Sequence, residues 1–322
     1  MAIIATQKVL TLDYWKFADK LEVGDYVFNK DGKIVTITKI HKYFSEECYE
    51  VKFNDCLTMC GDKHLGFLLE TAMYRQKANL YKGYHKFKSK LWFTKLENLI
   101  GLPLRTKRNR NEYSVPVIQP LRLPMQMHPV PAFIFSFWYF SKAMIPAKIL
   151  KEEIHQKFKD HGYKVTVINN HSGKIKVEPS IESQLAPYIP TKIPENYLMG
   201  SVEERIEFLR GVIYAYPGNY RIYLDRFIVP MPDNSTAIRM QNLIESLGIL
   251  CYYETTKRGD KHLSFKTNIR LIPWQKPAVT KVHYTRRFIK EIKPIQSQMC
   301  VHIETSEEDN SLVVGEGYIA TC

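Results

Sequence analysis

Two side chains far apart in the sequence, Cys300 and His64, could together carry nucleophilic chemistry. A thiol beside a basic or hydrogen-bonding group becomes a useful nucleophile as its thiolate fraction rises. Cleavage of a peptide bond by such a thiol also requires donors that stabilise the developing oxyanion. The alternative is that Cys300 is a small buried hydrophobe in a strand and His64 an ordinary histidine. We expect His302, the other histidine near Cys300, to face away from it.

A second group of side chains suits the binding of a polyanion. The chain carries 46 Lys and Arg against 33 Asp and Glu. Between Glu70 and Leu123 there are twelve basic side chains, three acidic ones and several interleaved aromatics, a composition that fits a surface following a nucleic-acid backbone. The alternative is a solvated linker with a few packed aromatics. The candidate DNA-binding residues are Lys82, Lys86, Lys88, Lys90, Arg105, Lys107, Arg108 and Arg110.

Length and composition set the frame for these groups. At 322 residues the chain is long enough for two domains. Its six cysteines form no CxxC pair and no signal peptide precedes them, so neither a zinc site nor a disulfide framework is indicated. No apolar run approaches the roughly 18 residues of a membrane span. We therefore expect a soluble protein in a reducing cytoplasm, with no membrane partner.

The elements that must position the candidate residues change type along the chain. From Val9 to about Leu69 short alternating β-branched runs predict strands, with a turn at Asp31-Gly32. The middle of the chain predicts helices and strand pairs in two successive rounds, which suggests an internal duplication. Its predicted helices are 145–161, 203–215 and 235–247, and its predicted strands are 164–168, 174–178, 220–229, 250–255 and 262–267. After Pro277 the pattern returns to short β segments.

One of these helices contains the sequence Arg-Ile-Glu-Phe-Leu-Arg-Gly-Val-Ile-Tyr-Ala-Tyr-Pro-Gly at 205–218. It resembles the helix motif of LAGLIDADG homing endonucleases, in which the last Asp of each of two copies holds the divalent metals that cleave DNA. Tyr214 and Tyr216 stand where this motif has Asp, and 135–142 resembles a first copy with Ser141 at the metal position. Because protonated hydroxyls are poor Mg²⁺ ligands, the resemblance implies a lost metal site, no cofactor and an inactive nuclease.

The two motif helices of this family pack face to face through small residues. Gly211 keeps the motif's glycine in the second helix, but three aromatics would crowd the contact from the first: Phe135, Phe137 and Phe140. We expect a hydrophobic centre with wider helix spacing. Three other acids lie near the motifs, at positions that the family keeps away from its metal centre: Asp160, Asp225 and Asp233.

Motifs at both ends of the chain form a second pattern: Val9–Trp15, Leu21–Val27, Phe53–Cys56, Cys60–Leu65, Arg286–Ile289, Cys300–Glu304 and Gly317–Thr321. In order and spacing they resemble the split halves of a Hint domain, the horseshoe-shaped β fold of inteins and hedgehog autoprocessing domains. The variety most resembled is the class 3 intein of phage genes. There a Cys attacks the upstream peptide bond, helped by a Trp and a Thr. The positions that match the Cys, the Trp and the Thr here are Cys300, Gly66 and Thr321. The Trp is therefore missing.

The C-terminal chemistry of that class is also altered. Class 3 inteins end in His-Asn, whose Asn cyclises to release the downstream junction, whereas this sequence ends in Thr321-Cys322. Cys322 is either the first residue after the intein or an altered terminus. The resemblance thus implies four candidate autoprocessing residues: Cys300, His64, Thr321 and Cys322. It also implies that splicing is impaired or lost.

Together these patterns predict an α+β protein. An all-β Hint horseshoe is expected from 1–69 and 273–322, a basic DNA-tracking segment from 70–130, and a degenerate LAGLIDADG α/β domain of two αββαββα-like halves from 131–272. The expected function is an intein-derived protein, in a phage-infected cell or on a virion, that keeps DNA binding and has residual Cys300-dependent autoprocessing. Its expected partners are duplex DNA and the host protein in which it is or was embedded. A phage structural protein with its own protein partner is an alternative, and an active homing endonuclease ranks last.

Overall fold

The structure of the chain is a computed structural model. It describes residues 2–13, 15–55, 57–74, 91–141, 148–169, 174–177, 193–216, 220–221, 225–255, 259–273, 275, 286–307, 310–315 and 317–321, without the side chains of 148–151, 153, 165–169 and 174–177. Across these ranges the helices are too short or too polar to span a bilayer. The fold is mixed α and β and rests mainly on antiparallel sheets, as the sequence predicts at this level.

The described elements follow one another in this order along the chain: β1 (Ala2–Ile4), β2 (Lys8–Leu10), β3 (Trp15–Phe17), β4 (Tyr26–Phe28), β5 (Ile34–Ser45), β6 (Cys48–Phe53), β7 (Thr58–Asp62), β8 (Gly66–Thr71), β9 (Trp92–Lys95), β10 (Tyr113–Pro116), α1 (Ala132–Ser141), α2 (Lys148–Asp160), β11 (Val165–Asn169), β12 (Lys174–Val177), α3 (Glu195–Leu198), α4 (Val202–Ala215), β13 (Tyr220–Arg221), β14 (Arg226–Pro230), α5 (Asn234–Ser246), β15 (Cys251–Thr255), β16 (Lys261–Phe265), β17 (Arg286–Ile295), β18 (Gln298–Thr305), β19 (Leu312–Val314) and β20 (Ile319–Thr321). Two short 3₁₀ turns lie at Ala18–Lys20 and Leu96–Asn98.

The chain divides into two compact units. The first, which we call the β unit, contains 1–122, 248–250 and 280–322, and the second, the α/β unit, contains 123–247 and 251–279. Both ends of the chain therefore contribute to one unit, and the basic residues described between 91 and 122 belong to it.

The β unit is built on a ten-stranded antiparallel sheet with the order β4-β5-β18-β1-β7-β6-β17-β10-β8-β9. Consecutive strands from opposite ends of the sequence pair with each other: β5 with β18, and β6 with β17. A second sheet has the order β20-β19-β2-β3. The apolar faces enclose one large core, with Ile3, Val27, Ile37, Phe53, Phe67 and Val301 among its buried residues.

Turn chemistry in the β unit follows the sequence prediction at Asp31-Gly32. The Asn29 side chain accepts hydrogen bonds from the backbone N–H of Asp31 (3.0 Å) and of Lys33 (2.9 Å), which closes the turn between β4 and β5. Gly32 has φ +71°, and a Cβ there would lie 2.1 Å from the carbonyl oxygen of Pro120. Glycine is required here by both its conformation and this close approach.

The α/β unit contains a helix pair and a four-stranded sheet of order β13-β14-β16-β15. Helix α1 is buried nearly all round, because it carries almost no polar side chain. Helix α4 begins with a capping box in which Ser201 and Glu204 exchange side chain to backbone hydrogen bonds. Helix α5 begins at an N-cap Asp233 and packs against β15 and β16.

Most predicted elements of the middle segment are present, with one correction. The single strand expected at 220–229 is wrong: β13 and β14 are two antiparallel strands, and Asp225 between them has φ +49°. The second half of this unit runs helix, two strands, helix, two strands. The described part of the first half holds two helices followed by one strand pair.

Candidate functional site

Cys300 lies in a small apolar pocket of the β unit, separate from its large core. It is fully buried on β18, opposite Ile4 of β1 and Tyr43 of β5. Its Sγ lies 3.7 Å from Sγ of Cys48, and both are buried. The remaining pocket wall includes Cys60 and Ile295.

The pocket keeps the Cys300 thiol protonated. Its burial raises the pKa of Cys300 far above the usual thiol value, and the neighbouring Cys48 and the carboxylate of Asp62 raise it further. The Tyr43 hydroxyl donates a short hydrogen bond to Asp62, and burial followed by this bond raises the pKa of Tyr43 as well. In this conformation Cys300 is a neutral thiol, so it must be uncovered or approached by a base before it can attack.

His64 lies in the turn that follows β7 and its side chain does not contact Cys300. Its backbone N–H donates to Asp62 Oδ1 (2.8 Å), while its half-exposed ring places Nδ1 3.9 Å from Oε2 of Glu97. The hydrogen-bond partner of Cys300 within the described residues is Cys48. Asp62 accepts from the His64 backbone with one oxygen and from Tyr43, which lies opposite Cys300, with the other.

The expectation that His302 faces away from Cys300 is wrong. Residues two apart on a strand share a face, and β18 is regular from Gln298 to Glu304. His302 lies opposite Ala2 of β1, as Cys300 lies opposite Ile4. Burial lowers the pKa of His302. The histidine on the face of the candidate nucleophile is thus His302.

The other candidate autoprocessing positions lie elsewhere in the β unit. Thr321 is fully buried on β20, and its hydroxyl oxygen has no hydrogen-bond partner among the described residues. Gly66 begins β8, opposite Lys95. Cys322 lies outside the described residues.

A buried ion pair beside the last segment of the chain was missed by the sequence reasoning. Arg287 Nε lies 2.7 Å from Asp55 Oδ2, with side-chain exposures of 3% and 1%. A Cβ on Gly317 would come within 3.4 Å of Arg287 Nη2 and 2.0 Å of Leu57 Cδ1, so the C-terminal segment lies directly against this pair. Single-sequence patterns give no pairing between residues 55 and 287, because the contact depends on how distant strands align.

The central helices of the α/β unit pack closely, which overturns the expectation of wider spacing. A Cβ on Gly211 of α4 would lie 2.0 Å from Ser136 Oγ and 2.4 Å from the carbonyl oxygen of Phe133, both on α1. The aromatic side chains do not separate the helices, because they stack around the contact. The ring pairs include Phe133 with Phe137 and Tyr214, Phe135 with Tyr197 and Phe208, and Phe140 with Tyr216.

The two degenerate metal positions lie near the ends of these helices. Ser141 is buried and its hydroxyl donates to the Trp138 carbonyl (3.5 Å), while Tyr216 caps the C-terminus of α4 and burial raises its pKa. A neutral hydroxyl and a protonated phenol do not fit Mg²⁺, which prefers anionic oxygens. Across the described ranges, no three His, Cys, Asp or Glu side chains form a group that could hold a metal ion.

The three nearby acids each have a local structural contact. Asp160 accepts from Gln156 (2.6 Å), Asp225 accepts from the Tyr220 hydroxyl (2.8 Å), and Asp233 caps α5 through Thr236. Backbone and side-chain hydrogen bonds from Thr236 lower the pKa of Asp233.

Four of the predicted DNA-binding residues lie on one hairpin loop of the β unit, which we call the basic loop (105–111). Its ends are joined by a bridge between Arg105 and Asn111, and the loop closes through the backbone bond from Thr106 N–H to the Arg110 carbonyl (2.8 Å). Asn109 has φ +56°, a conformation that Asn tolerates. Arg105 Nη1 donates to Asn109 Oδ1 (2.7 Å).

The charges of the basic loop face solvent. Arg105, Lys107, Arg108 and Arg110 are all exposed, and within the described part of the chain none of the four forms an ion pair. The other four predicted DNA-binding residues, Lys82, Lys86, Lys88 and Lys90, lie outside the described residues and stay predictions.

Comparisons with known proteins give a likeness in fold. No protein-family model and no curated protein matches the chain. Among solved structures, it is similar to the MchDnaB-1 intein (22% identity over 21% of this chain and 52% of that chain, TM-score 0.20) and to a variant of the Ssp DnaB mini-intein (7% identity, 99% and 96%, TM-score 0.35). It is also similar to I-DmoI, a LAGLIDADG homing endonuclease, in complex with its target DNA (14% identity, 56% and 85%, TM-score 0.30). The chain spans about half the length of the inteins it matches first. At these identities and TM-scores the similarity carries no conclusion about what this chain does.

Proposed function

We propose that this chain is an intein-derived protein that binds duplex DNA through its phosphates and does not cleave it. The observation that carries the proposal is the basic loop, which presents four cations to solvent with no carboxylate paired to them among the described residues. Unpaired exposed cations keep their full charge for a polyanion, because no internal ion pair must be broken first.

The geometry of the loop suits phosphates better than base edges. Arg105 is held by Asn109, and the backbone bonds across the loop fix its shape, so the charges form one compact group. Contacts to phosphates position a protein on DNA without reading its sequence. We therefore expect binding with little sequence preference and with a steep dependence on salt.

The absence of cleavage follows from the central helices. Ser141 and Tyr216 stand at the positions where the LAGLIDADG resemblance requires carboxylates, and burial holds the Tyr216 phenol protonated. Without anionic oxygens there is no anchor for the metal that would activate water and stabilise the leaving oxygen.

The test is a salt titration of binding to random duplex DNA. Each neutralised phosphate contributes roughly 0.9 to the slope of log K against log salt, so Lys107→Gln/Arg108→Gln should lower that slope by about 2. The matched control is Lys33→Gln/Lys52→Gln, which removes two exposed charges of the same unit and should leave the slope nearly unchanged. Equal slopes for both variants, or double-strand cleavage by the purified chain with Mg²⁺, would contradict the proposal.

A second candidate function is autoprocessing at Cys300, favoured by one observation. Strand β1, at the start of the described chain, runs antiparallel beside β18, so that Ala2 lies opposite His302 and Ile4 opposite Cys300. The upstream end of β1 therefore lies on the strand that neighbours Cys300, beside His302, and a peptide bond joined there would be two or more residues along the sheet from the thiol. His302 shares the face of Cys300 and is the nearer candidate base.

The test of this candidate embeds the chain between two stable domains and measures released fragments. Cys300→Ala should abolish release, and His302→Ala should reduce it more than His64→Ala does. Release that survives Cys300→Ala would rule out this thiol as the nucleophile. No release from the parent chain would leave DNA binding as the remaining function.

A further inference from the structure

The thiols of Cys48 and Cys300 meet although their strands are three places apart in the sheet order. The reason is that two tips come together, the turn between β5 and β6 and the turn between β17 and β18. Ile295 pairs with Cys48 and Gln298 with Ser45, while the Ser297 hydroxyl donates to the Glu46 carbonyl (3.3 Å). Each cysteine lies a few residues from an exposed turn, inside a pocket that the two tips close.

The hydrogen bonds around the two thiols have a direction. Cys48 Sγ lies 3.6 Å from the carbonyl oxygen of Ser45, to which its single proton can be donated. Cys48 then has only acceptor capacity left toward Cys300, so the Cys300 thiol donates to Cys48 Sγ across the 3.7 Å gap. The two sulfurs are therefore in direct contact with no side chain between them.

We propose that Cys48 and Cys300 form a disulfide when the chain meets a disulfide oxidant such as oxidised glutathione, and that this bond removes Cys300 from chemistry. The sulfurs must close from 3.7 Å to about 2.05 Å for the bond to form. The loss of Cys300 chemistry rests on the second candidate function, whereas the bond itself does not.

The reaction balances with the named oxidant. One cysteine, once uncovered and deprotonated, attacks a sulfur of oxidised glutathione as its thiolate, forms a mixed disulfide and releases the first glutathione thiolate. The second cysteine attacks the protein sulfur of that mixed disulfide, the new bond forms between Cys48 and Cys300, and the second glutathione leaves. The two thiol protons go to the two released glutathiones. The protein loses two hydrogen atoms and one molecule of oxidant is reduced.

Cys60 is the competing partner in the pocket. It packs against the same cluster, is half-buried, and its pKa is raised to about 11 by burial and by the neighbouring Glu50 and Cys48. The direct thiol contact nevertheless joins Cys48 to Cys300 and not to Cys60.

The test incubates the full chain in buffers of increasing oxidised glutathione and maps disulfides by mass spectrometry after alkylation. We expect one linked peptide pair, Cys48 with Cys300, absent from Cys48→Ser and retained in Cys251→Ser, which removes another buried strand cysteine. Cys48→Ala serves as a second variant should the serine disturb folding, checked by circular dichroism. Glutathione adducts alone, a bond that includes Cys60, or no bond at all would overturn the proposal.

A second measurement separates the bond from the function it controls. For each variant embedded between two domains, fragment release after oxidation is divided by release after reduction. This ratio should be about one tenth or lower in the parent chain and in Cys251→Ser, because a sulfur bound in a disulfide is no nucleophile. It should stay near one in Cys48→Ser. A bond that forms without any release in either state would reject autoprocessing and leave the disulfide standing, whereas release that oxidation does not lower would reject control by the disulfide.

Discussion

Replacing Gly211 by alanine should drive the two central helices of the α/β unit apart. The new Cβ would lie 2.0 Å from Ser136 Oγ, 2.4 Å from the Phe133 carbonyl oxygen and 2.9 Å from the Phe137 nitrogen, whereas ordinary contact begins at 3.4 Å. Two of these three atoms belong to the backbone of α1. Because backbone cannot rotate away as a side chain can, the difference between 2.4 and 3.4 Å requires α1 to move by about 1 Å.

The magnitude follows from three effects. Alanine stabilises the helix by about 1 kcal/mol relative to glycine, whereas overpacking a close contact destabilises the protein by about 1–3 kcal/mol. A gap of about 1 Å also forfeits a quarter to a half of the attraction at each remaining contact. The interhelical ring pairs, worth about 0.5–1.5 kcal/mol each, then lose roughly 1 kcal/mol together; they are Phe133 with Tyr214, Phe135 with Phe208 and Phe140 with Tyr216. The net expectation is a loss of about 2 kcal/mol.

The assay is thermal unfolding of the full chain, combined with hydrogen exchange on peptides from α1 and α4. A loss of about 2 kcal/mol should lower the melting temperature of this unit by roughly 5 °C, with faster exchange confined to the helix pair. Ser136→Gly in the Gly211→Ala background removes the shortest contact and leaves both backbone contacts, so it should recover only part of the loss. Parent-like stability of Gly211→Ala, or full recovery in the double variant, would refute the close approach of the backbones.

Two further predictions concern titration and buried charge. Burial lowers the pKa of His128, and the neighbouring Glu204, 3.3 Å away, opposes this only in part. The stability that neutral His128 contributes is therefore present above the ordinary histidine pKa of 6.5 and is lost as the pH falls below that value. The urea midpoint should therefore drop between pH 7.5 and 5.5, and His128→Gln should flatten that drop; an equal drop in the variant would show that other groups cause it. In the β unit, Asp55→Leu or Arg287→Met alone should destabilise by about 3–5 kcal/mol, because each removes one partner of a buried ion pair, and the double variant should recover most of this. Denaturant titrations of all three variants check the second prediction, and additive losses would contradict it.

The local parts of this fold could be predicted from the sequence, because they depend on neighbouring residues. Helix α5 begins one residue before its prediction, after the Asp233 cap, and Gly162 and Gly248 follow helices with φ of +77° and +71°. The prediction failed at 220–229, where an alternating pattern gave no sign of the turn at Asp225. Asp can adopt the left-handed conformation that such a turn requires, so an aspartate inside an otherwise strand-like run does not by itself indicate a break.

The candidate site could be predicted only as a set of residues and not as an arrangement. The spacing of motifs drew attention to Cys300, but nothing near it in sequence indicates Cys48, Tyr43 or Asp62, which surround it. The close fit of Gly211 on α1 was also beyond the sequence, since aromatic side chains crowd a helix contact in one set of rotamers and frame it in another. Packing of distant segments decides such questions, and a single sequence does not encode their register in any local pattern.

The pairing of strands from the two ends of the chain in the β unit has a consequence for how the chain is made. Residues 37–45 pair with 298–305, and residues 48–53 with 289–295, so the sheet has a very high contact order. A ribosome that has completed β5 and β6 must still synthesise the entire α/β unit before their partner strands emerge. During that interval β5 and β6 have exposed edges that other chains could join. We therefore expect efficient production of this protein to depend on protecting the unfinished N-terminal half until the C-terminal strands have been made.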